Sequence, residues 1–177
     1  MDSIYMANKY GAPISHVGWQ NVQRMLEWLG KNWQRPDEGI WEVRGGPKEF
    51  LHSRVMCWVA FDRALRLAQK HSLSGPLDLW RRIRDEIQND IFTNFWDKEL
   101  GAFVQVKGTK ELDASALLMP MMRFISPVDL SVFNSEELAS NGQHLGNFPQ
   151  AFTHLALISA ATYLDRALSG TGEEVWR

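Results

Sequence analysis

The 177-residue chain is 45% hydrophobic and 23% charged, proportions that fit a globular domain with a real core and exclude general disorder. Its formal net charge of −2 gives no electrostatic ground for nucleic-acid binding, and no long basic block occurs. A single cysteine, Cys57, a start at Met1 to Met6 without a secretory pattern, and no apolar run long enough to cross a bilayer together lead us to expect a soluble, cytoplasmic protein, not a membrane one.

Helical periodicity dominates the chain. Ser15 caps a predicted helix whose apolar positions Val22, Met25, Leu26, Leu29 and Trp33 recur every three or four residues. Arg35 to Lys48, rich in glycine and proline, must be a loop. A second helix is expected from about Glu49 to about His71, and its middle, Val55 to Phe61, is apolar all round and therefore buried. After Ser74, Gly75 and Pro76 comes a third, striped by Leu79, Ile83, Ile87 and Ile91 opposite Arg81, Arg82, Asp85 and Asn89. Ala102 to Val106 reads as a strand or an extended arm. Asp113 is a plausible cap for a fourth helix, which Pro120 should kink or end early. Pro127 to Gly146 is polar and irregular, and a last helix covers about Pro149 to Leu168. Buried and striped helices together fit concentric helical layers. With no short internal repeat, one domain over residues 1–177 is expected.

Functional residues concentrate on long loops. The first loop holds Asp37, Glu38 and Glu42 with Arg35, Arg44 and Trp41 between glycines, and the second holds Asn134, Ser135, Glu136 and Glu137. Two such carboxylates brought together could act as general acid and general base, although on spacing alone loop carboxylates are usually just solvated. Other chemistries fit worse. The five histidines lack metal-ligand spacing, so no metal is expected, and Cys57 lies in the most apolar stretch of the chain. No serine occupies a nucleophile elbow, and Gly45 to Lys48 lacks the spacing of a phosphate loop. Most of the eight tryptophans read as core packing.

The string PDEGIWEVRGGPKEFLHSRVMCWVAFDRA resembles the central motif of bacterial glycoside hydrolase family 15, which includes glucoamylases, glucodextranases and trehalases. LGNFPQAFTHLALISAA resembles its late motif, with WDKELGAFVQ and LDASALLMP between them in the expected order. The resemblance implies an all-α, (α/α)6 toroid and inverting hydrolysis of an α-glucosidic bond in a glucoside or oligosaccharide, with no cofactor. It puts the general acid on Glu42 and the general base on Glu136, with Glu137 one position off the match. Inverting geometry would hold the two carboxyl groups roughly 6.5 to 9.5 Å apart. Trp41 becomes a sugar-facing platform, and Arg44 either binds a sugar hydroxyl or orients Glu42. The plainer alternative for Glu42 is a surface pair with Arg44, and for Asp113 a helix cap.

Departures from the family pattern also carry expectations. The chain supplies about six helices of a twelve-helix ring, the family's N-terminal β-rich domain has no counterpart, and a second gap falls between Ser126 and Asn134. A partial ring would expose apolar helix faces, predicting oligomerisation, aggregation or partial unfolding. Little or no hydrolase activity is expected from this chain alone. The alternative is a non-catalytic helical remnant that binds carbohydrate or protein.

Overall fold

The computed structural model describes residues 1–41 and 45–125, and beyond them 137–138, 144–145, 158, 161–162 and 165. The chain divides into two compact units, Met1–Asn94 and Phe95–Arg177. The described residues are mostly helical, as the all-α expectation requires, and their strands are two residues long. No described helix is long and apolar enough to cross a membrane.

The first unit contains four helices, α1 (Asp2–Tyr10), α2 (His16–Asn32), α3 (Leu51–His71) and α4 (Leu77–Asn94). Ser15 caps α2 as expected, its side chain accepting from the Gly18 N–H at 3.1 Å. Trp19, Val22 and Leu26 form the buried side of α2, while Met25 of the expected stripe is 51% exposed. α3 ends at Ser72, which takes a left-handed φ of 51°. Pro76 stands just before α4 rather than within its first turn, and its carbonyl accepts from the Trp80 N–H at 3.0 Å.

α3 packs chiefly against α4 and also touches α1 and α2. Phe61, Leu67, Ile87 and Ile91 are fully buried at these contacts, each burial stabilising the fold by roughly 1.5–3 kcal/mol. The all-round burial expected of α3 holds at Val55 and from Trp58 to Phe61, but Met56 and Cys57 are only half-buried. On α4 the expected stripe shifts at its start, with Leu79 44% exposed and Trp80 buried in its place. Four-residue steps on a helix of 3.6 residues per turn drift by about 40° each, so Leu79 has rotated off the face that Ile87 and Ile91 share. Trp80 meets the Trp19 ring edge-on, with centroids 5.8 Å apart.

Helix α1 has no counterpart among the expected elements. It docks by polar contacts, since Arg63 Nε donates to Asp2 at 2.7 Å and Asn8 Nδ2 lies 2.7 Å from His71 Nε2. Arg63 also donates to Asp62, which accepts from Arg66 as well, so the buried Asp62 carboxylate is held by two guanidiniums.

In the second unit, β1 (Trp96–Asp97) pairs antiparallel with β2 (Ala102–Phe103). The turn between them is held by Asp97, whose Oδ1 accepts from the Glu99 and Leu100 N–H groups. The stretch Ala102 to Val106, expected as a strand or an extended arm, is strand in its first two residues. Next, β3 (Leu112–Asp113) leads into a 3-10 turn (Ala114–Leu117) and the short α5 (Leu118–Met121). Asp113 is the cap of that turn, accepting from the Ser115 N–H at 2.9 Å. Helical structure ends at Met121, one residue after Pro120, and Arg123 just beyond it takes a left-handed φ of 61°. A three-stranded sheet runs in the order β3, β4 (Glu137–Leu138), β5 (His144–Leu145). Of the expected last helix, Ile158, Ala161, Thr162 and Asp165 are described, and they are helical and exposed.

Candidate active site

The loop between α2 and α3 spans residues 33–50 and is closed at its base by main-chain bonds. Asp37 N–H donates to the Lys48 carbonyl at 2.9 Å, and Lys48 N–H returns the bond at 2.8 Å. The Asp37 carboxylate tightens this closure by accepting from the Gly39 N–H at 2.6 Å and from Ser53 Oγ, in α3, at 2.9 Å. Gly39 adopts φ +69°, and a Cβ there would lie 3.0 Å from the buried Phe50 ring, so both conformation and space call for glycine. On the return, Gly46 also takes a positive φ, +78°.

Trp41 sits half-buried in a turn of this loop. Glu42, Arg44 and Glu136 lie outside the described residues. Next to Glu136 the described backbone begins at Glu137, which is paired in register with Asp113 of β3, while Leu138 pairs with Leu112. On its other side β4 pairs with β5, Glu137 opposite Leu145. The structure therefore gives the framework of each candidate position: a loop with a closed base for Glu42, and the middle strand of a small sheet immediately after Glu136.

Sequence reasoning missed the residues that build the loop's base. Asp37 was one acid among three, and Arg54 was not singled out. His52 and Cys57, on the same helix, show how buried this side of the loop is. Burial holds the His52 imidazole below its ordinary pKa, with the Asp37 carboxylate opposing the shift. Burial pushes the Cys57 thiol up to about 11, so it remains protonated and is no nucleophile at neutral pH. Among the described residues no group of three His, Cys, Asp or Glu side chains could hold a metal ion.

A groove of about 910 Å³ between α2 and the start of α4 contains none of the candidate residues. The Ser74 carbonyl at its edge is already engaged by Trp19 Nε1 and Gln23 Nε2. Volume alone does not make it a site.

The family model for glycosyl hydrolases family 15 matches residues 1–137. The chain belongs to this family. It is 33% identical over 239 residues to the trehalase of Mycobacterium tuberculosis (strain ATCC 25618 / H37Rv), a match covering 94% of this chain and 35% of that protein. It is 38% identical over 127 residues to the trehalase of Thermoplasma acidophilum, covering 72% of this chain and 22% of that protein. A third relative, the trehalase of Mycolicibacterium smegmatis, is 30% identical over 94% of this chain and 36% of its own length. The chain thus spans about a third or less of these curated relatives. The mycobacterial match runs over 239 positions although the chain has 177 residues, so that relative carries residues within the match for which this chain has no counterpart.

Proposed function

We propose that this chain carries part of the catalytic apparatus of an inverting glycoside hydrolase that cleaves α-glucosidic bonds, with a trehalose-type disaccharide as its first candidate substrate. The observation that carries the reading is the match of residues 1–137 to the family, joined to a loop whose base is closed on both main chain and side chain around Trp41 and Glu42. In this reading Glu42, protonated, donates to the glycosidic oxygen as the bond to the anomeric carbon breaks. Glu136, ionised, removes a proton from a water that attacks that carbon from the opposite face. Trp41 offers its ring to the sugar, and Arg44 binds a hydroxyl or orients Glu42. Acid/base chemistry of this kind calls for no cofactor.

The relatives named trehalase are about three times as long or longer, and part of their aligned length has no counterpart here. Catalysis depends on holding substrate and carboxylates in a water-poor cleft. We therefore expect little or no turnover from this chain alone. Hydrolysis of trehalose, maltose and isomaltose by the pure chain and its Glu42→Gln and Glu136→Gln variants tests both parts. Ready turnover would overturn the expected weak activity, and turnover that survives both substitutions would overturn the assignment of the two carboxylates.

One observation favours the second reading, a non-catalytic remnant that binds carbohydrate or protein or associates with itself. On α2, Met25 is 51% and Trp28 60% exposed, and both border an apolar pocket of about 370 Å³ with Met1 and Leu29. Calorimetric titration with oligosaccharides and sedimentation of the free chain separate the two: sugar binding without turnover, or a concentration-dependent mass, supports the remnant. A cytoplasmic location belongs to either reading, supported by the lone Cys57 thiol.

A further inference from the structure

One buried side chain touches the loop 33–50 at both of its stems. Arg54, on the first turn of α3, is 1% exposed. Its Nη1 donates to the Trp33 carbonyl, where the chain leaves α2. Its Nη2 donates to the Gln34 carbonyl at 2.9 Å and to Glu49 Oε2, on the returning stem, at 2.8 Å. The guanidinium lies 5.4 Å from the centroid of the Trp33 ring, and Nε faces Asp90 of α4 at 3.6 Å.

A guanidinium suits this task because its donors diverge in one plane with fixed angles, whereas an ammonium is a point charge on a flexible stem. Burying a charge costs desolvation, and an apolar side chain of similar volume is often as stabilising. Here the charge is spent mainly on acceptors that belong to the loop: two stem carbonyls and one stem carboxylate. Asp37 forms the tier above, joining the stems through its main chain and reaching Ser53 of α3 through its carboxylate.

We propose that Arg54 is a positioning residue for this loop: by gripping both stems it sets where Trp41 and Glu42 are presented. The inference rests on the reading of Glu42 as general acid. Its structural half, the ordering of the loop, is measurable without catalysis.

The chain labelled with 5-fluorotryptophan gives a fluorine resonance for Trp41, assigned by Trp41→Phe, beside seven others that report the rest of the fold. In the unsubstituted protein the Trp41 line is expected to be sharp and to move with pH as Glu42 titrates, a movement lost in Glu42→Gln. In Arg54→Met the line should broaden, the titration midpoint should move, and trypsin should cut after Arg44 about tenfold faster through easier local opening. Arg54→Lys should recover part of each effect. Should Arg54→Met fail to fold, Glu49→Gln removes only the partner on the returning stem, at a residue 32% exposed, and should show the same changes in smaller measure. An unchanged Trp41 line, midpoint and cleavage rate in a folded variant would overturn the proposal. So would changes shared equally by all eight resonances, which mark a general loss of structure. Added trehalose tests the glycosidase reading separately: a Trp41 line indifferent to sugar counts against that reading and leaves the sugar-free comparison of Arg54 variants intact.

Discussion

Among the described residues, the ties of the two segments that carry the candidate carboxylates differ in kind. The loop that bears Glu42 adds side chains to its Asp37–Lys48 main-chain pair: Arg54 on its stems, Asp37 on Gly39 and Ser53, and the Phe50 ring beneath Gly39. In the segment that follows Glu136, the ties among the described residues are main-chain ones, with β4 between β3 and β5. Side-chain ties involve a few atoms, can be deleted singly and respond to pH. Main-chain ties tolerate many side chains and yield chiefly to a missing N–H or a forbidden φ. Residues 33–54 should therefore be sensitive to identity, and residues 137–138 to backbone chemistry.

The largest effect is expected at Phe50, which is 3% exposed. Phe50→Ala should destabilise the first unit by about 3–5 kcal/mol, read by denaturant unfolding, and should loosen the loop above it. A loss well under about 1 kcal/mol would show that the ring is not what supports Gly39. On the other side of the comparison, Leu138→Pro removes a ladder N–H from the middle strand and should cost about 3 kcal/mol locally, against a much smaller change for Leu138→Thr. Hydrogen exchange should then speed up at residues 112–113 and 144–145 while amides 55–68 stay protected. Equal effects of proline and threonine would contradict main-chain fastening.

The smallest effect is the pH response of the side-chain-fastened region. His52 has its pKa lowered by burial, so below its ordinary value the unfolded chain binds the proton first. Stability is full above about pH 6.5 and falls as pH drops below it, because the unfolded state then holds more protons than the folded one. His52→Gln should flatten that part of the stability profile, measured by denaturant midpoints across the range. A slope unchanged by the substitution would assign the acid response to other groups.

What was legible in the sequence was local. Ser15 and Asp113 act within three residues of themselves, so the cap signals held, and the helix that carries Pro120 is short, ending at Met121. The family motif around Trp41 and Glu42 was legible because it is a contiguous string. Partners far apart in the chain were not. Arg54 draws no notice in the sequence, because Trp33, Gln34 and Glu49 come around it only in the fold. Helix α1 has only nine residues and is joined to α3 by polar pairs that no periodicity announces. Met25 and Leu79 repeat at helical spacing yet face outward, since a stripe tells which residues align and not which neighbour covers them. The placement of Glu42, Arg44 and Glu136 themselves falls outside the described residues.

The way α1 is attached also orders events in time. Asp2 and Asn8 find their partners, Arg63 and His71, 61 and 63 residues further along the chain. During synthesis α1 emerges before α3, but its anchors are all in place only after α3 is complete to its last turn. Helix α1 thus waits for α3 before it can dock, and until then its nine residues are too few to be stably helical alone in water.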